Sequence, residues 1–223
     1  MIERYSRLLN LSNFSEEKLS LLQSTNVLII GAGGVGQNIS TILVTNGVEN
    51  ISIVDFDKVE LGNLNRQFLV TEHDINKDKV SVVKNVLQSH NSDAHVRAIN
   101  LKVDKENVDE LLEGHDLVIE ATDNWPTKLL IADAAKKANI PLFHIGVDGY
   151  EGQFCLFKKK SLRDVVDEKV FGETKDGVLG PMVTTISSLA ALYLIDYITK
   201  ENTETDTLCF YDHKNFNLNK IKL

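Results

Sequence analysis

Cysteine is scarce in this chain. Its 223 residues hold two, Cys155 and Cys209, in no paired motif. That usage excludes a disulfide framework and any four-cysteine metal site, and it fits a reducing compartment. Proline is limited to three residues, and no proline-rich or low-complexity linker divides the chain. Positive charge is outnumbered: 24 Lys and Arg face 32 Asp and Glu, for a net charge of −8. A general nucleic-acid or anionic-membrane binder is thereby excluded, and an anionic ligand must be held by local cations against the overall field. The first seven residues, Met1 to Arg7, lack the apolar core of a signal peptide. No apolar run reads as long enough for a membrane span, so a cytoplasmic protein without membrane or nucleic-acid partners is expected. What is present suits one globular domain with a proper core, since 43% of residues are apolar and 25% charged.

Periodicity orders the elements. Ser15, followed by Glu16, Glu17 and Lys18, reads as an N-cap opening a short helix to about Leu22. Val27 to Ile30 is an apolar run fit for a buried parallel strand. Gly34 to Asn46 reads as a helix closed by Gly47. Strands follow at Ile51–Val54, His95–Asn100, Leu117–Ile119 and Pro141–Ile145. Helices alternate with them at Lys77–His90, Lys105–Leu112 and Trp125–Ala138. The order implies a doubly wound α/β sheet, parallel and Rossmann-like. After it the pattern changes. Gly152–Phe157 is a strand with no helix close behind, and residues 158–177 form a polar, charged crossing loop. A buried helix is expected over Met182–Ile198 with Pro181 at its start. Thr207–Tyr211 and Phe216–Leu223 form a hairpin, which makes the C-terminal strands antiparallel.

Gly31-Ala32-Gly33-Gly34-Val35-Gly36 lies between a strand and a helix. Glycines let the backbone approach phosphate oxygens, and the helix N-terminus offers free N–H groups with a partial positive charge. Asp55 ends the second strand, where a carboxylate accepts from ribose hydroxyls. These two features fit NAD and ATP alike. Asn63-Leu64-Asn65-Arg66-Gln67 separates them, because phosphoryl or nucleotidyl transfer needs cations on non-bridging oxygens and a nicotinamide enzyme has no evident use for Arg66. Lys79 opens a nearby helix and supplies a second cation; the plainer role is a surface salt bridge for Arg66 and a solvated helix position for Lys79. Thr122-Asp123-Asn124 follows a strand at its carboxyl end, where such sheets bind ligands. Asp123 can hold Mg²⁺ there, with waters and phosphate completing the octahedron. Asn124 can instead cap the helix at Trp125-Pro126. Cys155 and Cys209 sit on alternating strands and read as core. The six histidines show no metal-ligand spacing, and only His144 lies where it could approach a ligand.

Taken together, these motifs resemble the MoeB/ThiF/HesA family, bacterial relatives of ubiquitin-activating enzymes. The resemblance also takes in the Arg4-Tyr5-x-Arg7 start, Asp55-x-Asp57, Lys79-Val80, Glu151-Gly152-Gln153 and Gly177-Val178-Leu179-Gly180-Pro181. It implies a single adenylation domain over residues 1–223, with a nucleotide-binding half (1–150) and a carrier-binding half (151–223). It implies a homodimer with ATP and Mg²⁺ in each subunit. It further implies adenylation of the C-terminal Gly-Gly carboxylate of a small ubiquitin-like sulfur carrier. By position, Gly31, Gly33, Gly34, Gly36, Asp55, Asp57, Asn63, Arg66, Gln67, Lys79, Asp123 and Asn124 match the nucleotide and metal contacts, and Arg7 matches the arginine that reaches the partner subunit's site. The chemistry agrees. A terminal carboxylate is ionised at neutral pH, so it needs no general base. Bringing it to the α-phosphate costs roughly 4 kcal/mol per unit-charge pair at about 4 Å, which Arg7, Arg66, Lys79 and Mg²⁺ offset.

The chain departs from the family in three ways. It lacks the two Cys-x-x-Cys pairs that hold zinc in many members, so no structural zinc is expected. It has no cysteine between Lys158 and Asp176, so the reaction is expected to stop at the acyl-adenylate. Leu8 stands where the family has Gln. The first departure keeps open a short precursor peptide as substrate. An NAD-dependent oxidoreductase and a non-catalytic binding module are the alternatives of other classes.

Overall fold

The computed structural model describes residues 3–166 and 177–223. Eight strands form one sheet: β1 (Asn26–Ile30), β2 (Asn50–Val54), β3 (His95–Ile99), β4 (Leu117–Glu120), β5 (Leu142–Asp148), β6 (Glu151–Phe157), β7 (Thr207–Asp212) and β8 (Asn217–Lys222). Their spatial order is β3-β2-β1-β4-β5-β6-β7-β8. The first five run parallel, and β6, β7 and β8 add antiparallel. The expected Rossmann-like sheet, with a parallel N-terminal part and antiparallel C-terminal strands, is therefore what forms. β5 turns into β6 through Gly149, whose φ of +52° favours a residue without Cβ.

Helices cover both faces: α1 (Ser6–Leu9), α2 (Glu16–Ser24), α3 (Gly34–Thr45), α4 (Lys79–His90), α5 (Val108–Leu112), α6 (Trp125–Ala138) and α7 (Gly180–Ile198). Alternation within the strands sets which face is which. Val27 and Ile29 of β1 pack with α2, α3, α4 and α7, while Leu28 and Ile30 pack with α5 and α6. Both faces are apolar, as a parallel sheet buried on two sides requires. Capping agrees with the sequence. Ser15 Oγ accepts from the Lys18 N–H at 3.3 Å, and Asn124 Oδ1 accepts from the Thr127 N–H at 3.0 Å. Two helix starts are displaced: α4 begins at Lys79 rather than Lys77, and Asp104 takes the Glu106 and Asn107 N–H groups, so α5 begins at Val108.

α7 corrects two expectations. It has 19 residues of mean hydropathy 1.3, so by length and composition it is long enough to cross a membrane. Here it packs against α3 and the sheet, as a core helix does. Nor is it buried all round, since Leu192 is 64% exposed on its outer side. Its inner face lies so close to β6 that a Cβ on Gly152 would stand 2.2 Å from Ile186 Cγ1. Gly152→Ala is accordingly expected to lower unfolding free energy by about 2 kcal/mol through overpacking. A urea midpoint unchanged from wild type would contradict that.

Of the expected crossing loop, residues 167–176 lie outside the described residues. Its first part is anchored rather than free. Asp206 accepts from the backbone N–H groups of Lys158, Lys159 and Lys160 at 2.9–3.1 Å, while their side chains stay exposed. Cys155 and Cys209 are buried, on opposite faces of the sheet. Burial pushes the Cys155 thiol up to about 12, so it is inert as a nucleophile at neutral pH.

Candidate functional site

A cleft of about 840 Å³ opens at the carboxyl ends of the parallel strands, around the point where the strand order reverses between β1 and β4. That is where open α/β sheets bind ligands. Gly31, Gly33, Gly34, Asp55, Asp57, Asn63, Arg66, Gln67, Lys79, Asp123 and Asn124 all line it. Two expected site residues do not.

Gly36 is one of them. It is buried, and a Cβ there would lie 1.9 Å from Gly31 O. Its lack of a side chain lets the first turn of α3 close over β1, so its role is packing rather than ligand contact. Arg7 is the other. α1 is anchored by buried Tyr5, whose hydroxyl accepts from Asn91 Nδ2 at 3.1 Å, and by Arg4, which donates to the His90 carbonyl at 2.7 Å. Those partners end α4, at the amino-terminal edge of the sheet. Arg7 is exposed there and is not brought to this chain's own cleft.

The glycine loop is braced from below. Asp55 accepts from the Ala32 N–H at 2.7 Å and from the Asp57 N–H at 2.8 Å. Half-buried, it ties the loop to β2 as well as facing the cleft. Gln67, 2% exposed, accepts from Gln37 Nε2 at 3.1 Å, and the same Gln37 nitrogen donates to the Ala32 carbonyl at 3.0 Å. Gln37 Oε1 takes the Leu69 N–H at 3.1 Å. Gln37 thus joins the glycine loop to the Asn63–Gln67 turn; its place in the first turn of α3 was the available signal. Gly33 and Gly34 open that helix with no side-chain cap on its N–H groups, which leaves them to an anion.

The cations differ in readiness. Lys79 is buried but pairs with Asp57 at 3.2 Å. Arg66 meets no carboxylate among the described residues. Its Nη1 donates to the Gly62 carbonyl at 2.9 Å and to Asn65 Oδ1 at 3.0 Å, which orients the guanidinium. Its backbone carbonyl lies 3.1 Å from where a Cβ on Gly34 would be, so the arginine is built directly against the phosphate-cradle glycines. Asn63 Oδ1 is turned inward to the Glu60 N–H at 3.2 Å and shapes this turn.

At the floor of the cleft the sequence singled out His144 but missed Glu120 and Lys128. Glu120 on β4 and His144 on β5 are register partners, 0% and 1% exposed. Lys128 descends from α6 and places Nζ 3.0 Å from Glu120 Oε1. Glu120 also accepts from the Thr122 N–H and hydroxyl, each at 2.7 Å, and from His144 Nδ1 at 2.7 Å. Lys128 donates back to the Thr122 carbonyl at 2.5 Å. Burial opposes the Glu120 charge, but Lys128, His144 and Thr122 outweigh it and hold the carboxyl down to about 2. Burial also pushes His144 below its ordinary value, against the pull of Glu120, so its imidazole is neutral at pH 7. This network fixes the loop that carries Asp123. A charged residue ending a buried strand run was the available clue to Glu120.

The model of the ThiF family matches residues 5–223. The chain belongs to the ThiF family. It is 31% identical over 223 residues to the SAMP-activating enzyme E1 of Haloferax volcanii, covering 95% of this chain and 81% of that protein. It is 35% identical over 161 residues to the sulfur carrier protein adenylyltransferase of Thermus thermophilus, covering 72% of this chain and 59% of that protein. This ThiF-family chain thus spans less than two thirds of the second relative. Among solved structures, Escherichia coli MccB with ATP superposes with a TM-score of 0.87 at 22% identity, over 98% of this chain and 71% of that one. That likeness shows the shared fold. The second relative's name states the adenylyltransferase chemistry that the sequence led one to expect.

Proposed function

We propose that this chain uses ATP to adenylate the C-terminal carboxylate of a small ubiquitin-like sulfur-carrier protein. A carboxylate oxygen attacks the α-phosphorus, the α–β phosphoanhydride bond breaks, and pyrophosphate leaves. The observation that carries the reading is Arg66: a guanidinium with no carboxylate partner among the described residues, held against the uncapped glycine turn. Hydride transfer brings no second anion to the phosphates for that charge to offset, whereas adenylation forces two anions together. Lys79, already close to Asp57, adds a second cation beside the phosphates. The residues otherwise supply positioning rather than proton transfer, because the attacking carboxylate is ionised beforehand.

Asp123 is exposed at the cleft, and no group of three or more His, Cys, Asp or Glu side chains that could hold a metal occurs among the described residues. A carboxylate at the cleft, Asp123, is the kind of ligand Mg²⁺ takes, since the ion binds one or two carboxylates and completes its shell with phosphate oxygens and water. When bound, the ion neutralises charge on the phosphate oxygens. In this reading Arg7, remote from its own cleft, serves the second subunit of a homodimer, and the enzyme works in the cytoplasm. A short precursor peptide is the second reading, favoured by the absence of the zinc cysteine pairs.

ATP–pyrophosphate exchange tests the proposal. Wild type is expected to exchange in the presence of a carrier ending in Gly-Gly, and Asp123→Ala to lose at least about 10²-fold with an unchanged unfolding midpoint. Exchange retained in Asp123→Ala removes the metal role. A wild type that exchanges with no carrier or peptide ends the adenylation reading.

A further inference from the structure

Gln153, in the Glu151-Gly152-Gln153 stretch that opens β6, faces the cleft on the same side of the sheet as Glu120 and His144. Its register partners are Gly146 on β5 and Phe210 on β7, and all three line the cleft. A Cβ at Gly146 would stand 3.7 Å from His144 Nε2 and 3.8 Å from the Gln153 side chain, so glycine there leaves the amide uncovered. One contact orients that amide: Gln153 Nε2 lies 3.4 Å from His144 Nε2. His144 Nδ1 is committed as donor to the Glu120 carboxylate, whose charge Lys128 already balances. The other ring nitrogen of a neutral imidazole then carries a lone pair, so the amide nitrogen, not the oxygen, must face it. Gln153 Oε1 is left turned away, with no hydrogen-bond donor among the described residues. A polar row thus crosses β4, β5 and β6 from the Asp123 loop and ends in one oriented acceptor beside an aromatic wall.

We propose that Gln153 Oε1 accepts the last backbone N–H of a polypeptide substrate, so that the site selects peptidyl carboxylates over acids lacking that group. His144, Glu120 and Lys128 are positioning residues for this acceptor. A desolvated amide N–H needs a partner, and a site that supplies one discriminates against an analogue without the N–H. The inference rests on the adenylation reading above.

The test compares two synthetic acyl compounds in ATP–pyrophosphate exchange with the full chain: a peptide ending in Gly-Gly, and its depsipeptide with glycolate as the last residue, where an ester oxygen replaces the N–H. Wild type is expected to favour the amide about tenfold or more in kcat/KM. In Gln153→Met and Gln153→Leu the ratio is expected to fall to about one. A merely structural role would lower both compounds alike and keep the ratio. Equal use of the two by wild type overturns the proposal, as does a ratio that survives either substitution. The wild-type ratio needs no variant, so it decides even where both substitutions misfold. Exchange with neither compound overturns the adenylation reading, and this inference with it.

Discussion

Arg66→Ala is expected to lower ATP–pyrophosphate exchange about 10²- to 10³-fold while the protein remains folded. Arg66 and Lys79 are not equal in this respect. Lys79 shares its charge with Asp57 at 3.2 Å, so part of its field is already spent. Among the described residues Arg66 has only neutral acceptors, the Gly62 carbonyl and Asn65 Oδ1, so its full guanidinium charge remains for the reacting anions. Repulsion of roughly 4 kcal/mol between unit charges about 4 Å apart is the barrier that charge lowers. Arg66→Lys is expected to recover only part, because an ammonium lacks the planar fork that spans two phosphate oxygens. The loss should appear in kcat more than in the KM for ATP, since the demand is greatest in the transition state. A variant within about threefold of wild type in kcat would show that the charge acts elsewhere.

Glu120→Ala is expected to cost about 3–5 kcal/mol of stability, because it strands the buried Lys128 ammonium without its partner. For a chain of this length that is roughly a 10 °C fall in Tm. The same carboxylate steepens the acid limb of the stability profile, to which the depressed Asp74, Asp164, Asp206 and Asp212 also add. Its folded pKa is lowered from about 4.5 to about 2, so the unfolded chain takes up a proton first as pH falls. The stabilisation it supplies is complete above about 4.5 and is lost as pH drops towards 2, in total about 3 kcal/mol. His144 acts in the same sense from a higher pH, since its folded pKa lies below the ordinary 6.5 and the unfolded chain again protonates first. Wild type is therefore expected to weaken slightly below about pH 6.5 and steeply below about 4.5, and Glu120→Ala to show a shallower acid limb. Urea midpoints across pH 3–8 measure this; parallel profiles for the two proteins would sink the argument.

Much of this was legible from residues alone. β1 announced itself through four consecutive apolar residues, Val27 to Ile30, because a strand buried on both faces needs no alternation. Asn124 and Pro126 marked the start of α6 through local capping chemistry. The cleft residues Gly33, Gly34, Asp55, Arg66, Lys79 and Asp123 could be named because each follows or opens an element, and the parallel order then carries them to one edge. Gly36 was placed with the ligand contacts because spacing cannot tell a glycine that faces phosphate from one that admits a neighbouring carbonyl. The span-length apolar character of α7 was passed over because its serines, threonines and tyrosines interrupt the run without making the helix polar.

Local order, then, was determined by the sequence: which segments are strands or helices, which turns carry glycine, and which charges stand at their ends. Periodicity and capping act within a few residues, so they can be read along the chain. Only the tertiary structure decided that Glu120, Lys128, His144 and Gln153 form one polar row along the cleft floor, that Gln37 bridges two loops, and that Arg7 lies at the edge away from the cleft. Those relations join residues far apart in sequence, and strand order and helix packing bring such groups together only after the sheet has closed.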